Sequence, residues 1–538
     1  MSNLFLSIPL YVSGGSMRAF INGNVYVSFR PIRKVEAFLV VSERVAKTGS
    51  SGEILEIAER LGAEIIDLGG KTVLPGFIDS HMHLDELGEY LSMLDLRGVR
   101  SIEELKERLR EFAEEKDGWL RGHGWDQELF KEGRWPTRHD LDEVVNDRPV
   151  LLSRACLHAA VLNTKALEVT GLIDWESKDV IRDENGEPTG IVKEDAFTHA
   201  VRKFDEIIDE GEYADGILKA SEYALSKGVT TVGFVSVGER ALKVLSTLDS
   251  EGKLRLRVKA YLNPGENLEV LESLRRLGIR RDFGGGRLKI GGIKVLADGS
   301  LGARTAWLSK PYSDAQTSGY PIVSKERLER VVRETHAAGL QMAVHAIGDA
   351  TIDMVLDVYE SLENVENAGH RIEHASLMRP DQIARTRRLG VRLALQPHFV
   401  MTDWWVIERV GEERAKWAYP FRSITRAGIP FGLSTDSPVE PLDPWETVYA
   451  AVTRGKYEGV PLAELTPDEA LTLEEALYAY TAGSAEILME NDLGTLEEGK
   501  LADFIIVGSD PFEVDENELK KIKVLETYVG GERVFKAE

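Results

Sequence analysis

From about residue 73 onward, short apolar runs alternate with longer stretches in which apolar residues recur every three to four positions, the order expected of strands and helices building a parallel sheet. The runs fall at 73–78, 230–235, 257–262, 290–296, 341–345, 370–374, 391–396 and 430–435. Eight strands of this kind are what a closed (β/α)8 barrel requires. The interval between the first two is far too long for one crossover, so residues 84–214 are expected to form an insertion that projects over the barrel mouth. That insertion holds the cluster Gly122-His123-Gly124-Trp125-Asp126 and a strand-like run at 149–152.

Before the barrel, residues 17–71 carry short alternating or β-branched runs broken by Gly, Asn and Ser, with one helical stretch at 52–61. After it, a turn-rich junction at 494–500 leads into strand-like runs at 502–507 and 524–529. The simplest arrangement has the two ends complete one small β-sandwich. The expected organisation is an N-terminal extension (1–16), the N-terminal portion of the sandwich (17–71), a barrel with its insertion (72–490) and the C-terminal portion of the sandwich (491–538).

Composition narrows the functional classes. Sixty-six Lys and Arg stand against 90 Asp and Glu, a net charge of −24, and the resulting field repels nucleic acid and anionic membrane surfaces. Cys156 is the only cysteine, which excludes an intramolecular disulfide and any multi-Cys metal site. The apolar opening segment at 4–12 has no basic residue before it and contains Pro9, a poor match to a signal peptide. The expected location is the cytoplasm.

The candidate chemistry begins at Asp79-Ser80-His81-Met82-His83. Side chains on a strand alternate between faces, so His81 and His83 share one face and can share a metal ion. Two satisfied histidines at a strand end is the bland alternative. Lys294, His345, His374, His398 and Asp436 lie at or just beyond the ends of later strands, and in a barrel those ends converge on one mouth.

These residues resemble a known family. The stretch 73–83 (VLPGFIDSHMH) together with 499–504 (GKLADF) resembles the metal-dependent amidohydrolase superfamily, the relatives of urease and dihydroorotase. The stretches 294–306 (KVLADGSLGARTA), 345–349 (HAIGD) and 371–375 (RIEHA) are similar to the branch that includes N-substituted formamide deformylase. The resemblance implies a metal set of His81, His83, Lys294, His345, His374 and Asp436, holding one or two divalent ions. Zinc suits imidazole and carboxylate donors, and other divalent transition metals fit the same set. If the site is binuclear, the resemblance implies that Lys294 is carbamylated by CO2, since a protonated lysine is no ligand; both states remain open. It implies hydrolysis of a non-peptide C–N bond by metal-activated hydroxide, with Asp436 as general base, a small-molecule amide as substrate, and a homodimer.

Further candidates for substrate contact are His158 and Trp125 in the insertion, Asp298 after the fourth strand and His398 after the seventh. Glu373, next to His374, is read as facing away from it and as pairing behind a ligand or between layers of the barrel. His139, His199 and His336 receive no chemistry. Members of the branch commonly place Asp or Gly before the histidine at the His158 position, where this chain has Leu157. Two other functions compete: a non-catalytic barrel used for binding or assembly, and a hydrolase of a cyclic amide or lactone.

Overall fold

The computed structural model describes residues 16–155, 158–206 and 208–538. The expected N-terminal extension, all but Ser16, and the pair Cys156 and Leu157 lie outside the described residues. Leu87–Lys219 forms one compact unit, and the chain on either side of it forms the other.

In the larger unit, eight parallel strands stand side by side in chain order: β1 (Phe77–Met82), β2 (Val229–Val237), β3 (Arg257–Leu262), β4 (Leu288–Leu296), β5 (Gln341–Ala346), β6 (Arg371–His374), β7 (Arg392–Leu395) and β8 (Phe431–Leu433). Most of their residues are buried on both faces, as a barrel jacketed by helices requires. The helices bury one stripe each. Lys325–Ala337, for example, is capped by Ser324 Oγ accepting from the Arg327 N–H, and buries Leu328, Val331, Val332 and Thr335. β1 and β8 close the ring through specific bonds: Ser80 Oγ donates to the Leu433 carbonyl at 3.0 Å, the Asp436 N–H to the His81 carbonyl at 2.9 Å, and the His83 N–H to the Ser437 carbonyl at 2.8 Å.

The apolar run read as one strand at 73–78 is two. Thr72–Pro75 pairs with Asn24–Phe29 and Phe504–Val507 in the sandwich, whereas Phe77–Met82 pairs in the barrel. The chain changes sheet at Gly76, where a Cβ would lie 2.4 Å from Thr230 Oγ1 and only glycine fits. Both ends of the chain contribute to the sandwich. Phe20 and Phe38 from a four-stranded sheet meet Phe504 and Tyr528 from a six-stranded one, with Phe504 edge-on to both phenylalanines and stacked on Tyr528.

The smaller unit is a six-stranded sheet with helices on both faces, of which the sequence had suggested one strand. Leu152 and Val161 point to one face against Leu105 and Leu109 of the helix Ile102–Glu115, while Leu151 and Leu162 point to the other against Ala196, Ala200 and Phe204 of Glu194–Asp205. Among the described residues, no helix is long and apolar enough to cross a membrane.

A histidine chain beneath β6 makes stability depend on pH. The Met342 N–H donates to His370 Nδ1 (3.0 Å), His370 Nε2–H faces His336 Nδ1 (3.0 Å), and His336 Nε2–H donates to the Glu363 carbonyl (3.0 Å). Burial, with His336 nearby, pushes the His370 pKa down to about 3. In the unfolded chain it returns to about 6.5, so the unfolded state binds more protons between those values. Stability is therefore expected to be complete above pH 6.5 and to fall as pH drops toward 3. Urea midpoints across that window should show a shallower slope in His370→Asn than in the parent; equal slopes would remove His370 as the cause.

Candidate metal centre

Strand register sets the level of the site. Leu296 pairs with His345, His345 with Glu373 and Ala346 with His374, so the ends of β4, β5 and β6 finish together. The β1–β8 bonds bring the other side of the ring to the same mouth. There His81, His83 and Asp436 place one donor atom each within 4.8 Å of the others. His81 Nε2 is 3.1 Å and His83 Nε2 is 3.3 Å from Asp436 Oδ1. The His374 ring lies 4.8 Å from that of His81 and 4.5 Å from that of His345.

His374 and Asp436 reach the site through unusual backbone. Their φ angles are +73° and +59°, and Ala375 follows at +46°. Non-glycine residues seldom adopt the left-handed region, and where they do the surrounding structure must enforce it. The turn at His374 breaks the alternation of β6. Glu373, beside His374, does not join the donor set but bonds His81 Nδ1 from behind, the supporting pairing that the sequence reading of opposite faces expects.

Three of the four imidazoles have one nitrogen engaged, which names the nitrogen left for a metal. His81 Nδ1–H donates to Glu373 Oε2 at 2.5 Å, leaving Nε2. His374 Nδ1–H donates to Gln396 Oε1 at 2.9 Å, again leaving Nε2. His345 is reversed: Nε2–H donates to the Gly299 carbonyl at 3.0 Å, leaving Nδ1. His81 Nε2 and Asp436 Oδ1 are both buried and have no hydrogen-bond partner among the described residues. Two buried lone-pair atoms 3.1 Å apart without a partner are costly on their own, and a divalent cation satisfies both. The residues fit a metal ion.

The electrostatics agree. Burial would raise the Asp436 pKa, but the His81 and His83 imidazoles hold it well below the usual carboxylate range. Burial likewise opposes ionisation of Glu373, yet the Arg371 guanidinium, bonded to it at 2.8 and 2.6 Å, and His81 keep it ionised. Burial lowers the Lys294 pKa against the pull of Glu373 and Asp436, and pushes that of His374 well down with help from His345. The salt bridge of Arg371 and Glu373 is fully buried, 0% exposed on both sides. Arg371 opens the stretch 371–375 already singled out, but the sequence reading gave it no role, and Gln396 was not singled out.

The remaining candidates take other positions. Asp298 is buried and organises the mouth: its carboxylate accepts from the N–H groups of Trp307, Ile347 and Gly348 and from Thr351 Oγ1, and lies 3.4 Å from His345 Nε2. An amide there would turn an NH2 toward those donors, so Asp298→Asn is expected to cost about 1–3 kcal/mol in denaturant unfolding; an unchanged midpoint would separate Asp298 from this role. His398 is clamped by Glu440 at Nδ1, with Glu446 3.6 Å from Nε2. Its pKa rises despite burial because Glu440 bonds it. Trp125 lies in the core of the smaller unit, its indole N–H donating to the Leu152 carbonyl at 2.7 Å and its ring against Trp135; it is a packing residue of that unit. His158 is largely exposed there, with Glu194 3.3 Å from Nδ1.

Comparison with known proteins bears on this geometry. A family model described as the amidohydrolase family matches residues 64–535. A solved structure described as an uncharacterized metal-dependent hydrolase from Pyrococcus horikoshii OT3 is 47% identical, covers 93% of this chain and 99% of its own, and superposes with a TM-score of 0.82. A Bacillus subtilis (strain 168) protein named as an amidohydrolase, YtcJ, is 33% identical over 95% of this chain and 98% of its own length. The N-substituted formamide deformylase of Arthrobacter pascens is 29% identical over 95% and 97%.

Proposed function

The chain belongs to the amidohydrolase family, and on that premise we propose that it is a metal-dependent hydrolase of a non-peptide C–N bond, with linear amides of the N-substituted formamide class as its leading substrates. The likeness to the Arthrobacter pascens enzyme supports the choice of class. The observation that carries the proposal is the buried, unsatisfied pair of His81 Nε2 and Asp436 Oδ1 beside His83. A divalent cation, zinc by the match of imidazole and carboxylate donors, supplies Lewis acidity toward the carbonyl oxygen and lowers the pKa of water to about 7.

The chain's own groups do the rest. Asp436, ionised across the neutral range, takes a proton from the attacking water at its carboxylate and delivers it to the leaving nitrogen, which must be protonated because an amide anion leaves poorly. Glu373 and Gln396 hold His81 and His374 with Nε2 as the free nitrogen. Lys294 is 3% exposed, and burial favours its neutral amine. That neutral amine can form an N–C bond to CO2 with release of one proton, becoming the carbamate anion that a second metal ion would need.

The test is a metal assay joined to a substrate panel. Metal analysis of the purified chain, then reconstitution with zinc, should be followed by N-alkyl and N-aryl formamides alongside N-acyl amino acids, hydantoins and lactones. Formamides are expected to yield formate and amine, with loss of turnover on chelation. Turnover of only hydantoins or lactones would reassign the bond, and failure to bind any transition metal would leave a non-catalytic barrel. Chelation should also lower Tm, because a ligand bound only by the folded chain stabilises it by mass action. Labelled bicarbonate tests Lys294: a carbamate resonance should appear in the parent and be absent from Lys294→Met.

A further inference from the structure

Of the four imidazoles at the candidate metal centre, His83 is the one whose outer nitrogen takes no hydrogen bond among the described residues. His81, His374 and His345 are held by Glu373, Gln396 and the Gly299 carbonyl at 2.5 to 3.0 Å. The group that approaches His83 Nδ1 is Glu86, with Oε1 at 3.6 Å, while His83 Nε2 lies 3.3 Å from Asp436 Oδ1. One carboxylate thus stands inside the centre and another outside it, on opposite sides of the same ring.

The local backbone produces this arrangement. His83 immediately precedes the helix Leu84–Ser92, and residues three apart along a helix are neighbours, so Glu86 in the first turn is carried to the ring. The base of the ring is fixed, because the His83 N–H donates to the Ser437 carbonyl at 2.8 Å. Asp85, the other acidic residue of that turn, turns its Oδ1 to the Glu86 N–H at 2.9 Å. The Glu86 side chain is 59% exposed, and among the described residues its ion-pair partner is His83 alone. An exposed side chain changes rotamer within picoseconds to nanoseconds, so Glu86 is free to close from 3.6 Å to a hydrogen bond of about 2.7–3.2 Å.

We propose that Glu86 is the positioning residue of His83: by accepting from Nδ1–H it fixes the tautomer that leaves Nε2 for the ion. It does from the solvent side what Glu373 does for His81 from the buried side. The inference rests on the metal-dependent reading of the centre and adds that one of the two β1 imidazoles is steadied by an exposed residue.

The test measures metal affinity of the full-length chain, by competition with a chromophoric chelator, in the parent, Glu86→Ala and Glu86→Gln. Partners of this kind are worth about 10–100-fold in metal affinity, and because this one is exposed the lower end applies: Glu86→Ala should bind about tenfold more weakly. Glu86→Gln keeps an oxygen that accepts the same hydrogen bond without the charge, and should recover most of the loss. The visible spectrum of the cobalt-substituted chain should change in Glu86→Ala and return toward that of the parent in Glu86→Gln. Parental affinity and spectrum in Glu86→Ala would overturn the proposal. Glu86→Gln as weak as Glu86→Ala would overturn it too, since only the charge would then be acting. A lower denaturant midpoint of the metal-free Glu86→Ala chain with parental affinity would assign Glu86 to the helix terminus instead. A parent that binds no transition metal would sink the reading of the centre itself, and this inference with it.

Discussion

Asp436→Asn is expected to reduce turnover by roughly two to four orders of magnitude, the range general acid–base catalysis contributes, while most of the metal stays bound. The amide keeps an oxygen facing His81 and His83 but has no carboxylate to take the proton from water or return it to nitrogen. The substitution is also conformationally clean. Position 436 has φ +59°, and Asn is one of the few residues that enters that region readily, so the backbone need not move. Rates normalised to measured metal content check the expectation; a near-parental rate would remove Asp436 from proton transfer.

Glu373→Gln is expected to produce the second large effect, and on two observables at once. Arg371 would be left buried with no compensating charge, and breaking a buried ion pair from one side typically costs about 3–5 kcal/mol. His81 would lose the carboxylate that fixes its tautomer, and partners of that kind are worth about 10–100-fold in metal affinity. The two effects separate in the double variant Arg371→Met/Glu373→Gln, which should regain much of the stability but not the affinity. Denaturant midpoints and competitive metal titration measure them. Parental values of both in the single variant would mean that the pair does not support His81.

The barrel was readable in the sequence because its strands are short apolar runs separated by amphipathic helices, and its site because titratable residues stood at several strand ends. What escaped did so for physical reasons. The break at Gly76 was marked by Pro75-Gly76 but outweighed by the apolar residues on either side, since Thr72–Pro75 and Phe77–Met82 are both fully buried. The supporting role of Glu373 was legible from strand alternation, but its partner His81 lies 292 residues away in the chain and could not be named. Arg371 stood in a stretch the sequence singles out, but its role did not show, because its partners Glu373 and Tyr261 are brought to it only by the fold. Trp125 drew notice as an aromatic among polar residues, but its neighbours in space, Leu152 and Trp135, come from elsewhere in the chain.

The seam between β1 and β8 has a consequence for biogenesis. His81 and His83 leave the ribosome hundreds of residues before Asp436, and the bonds that set them side by side join the first barrel strand to the last. If these residues hold the proposed metal ion, a nascent chain first presents only the two imidazoles of β1, with His345, His374 and Asp436 following hundreds of residues later. On that reading the donor set is complete only once the ring shuts, so ion capture would follow topological completion rather than precede it.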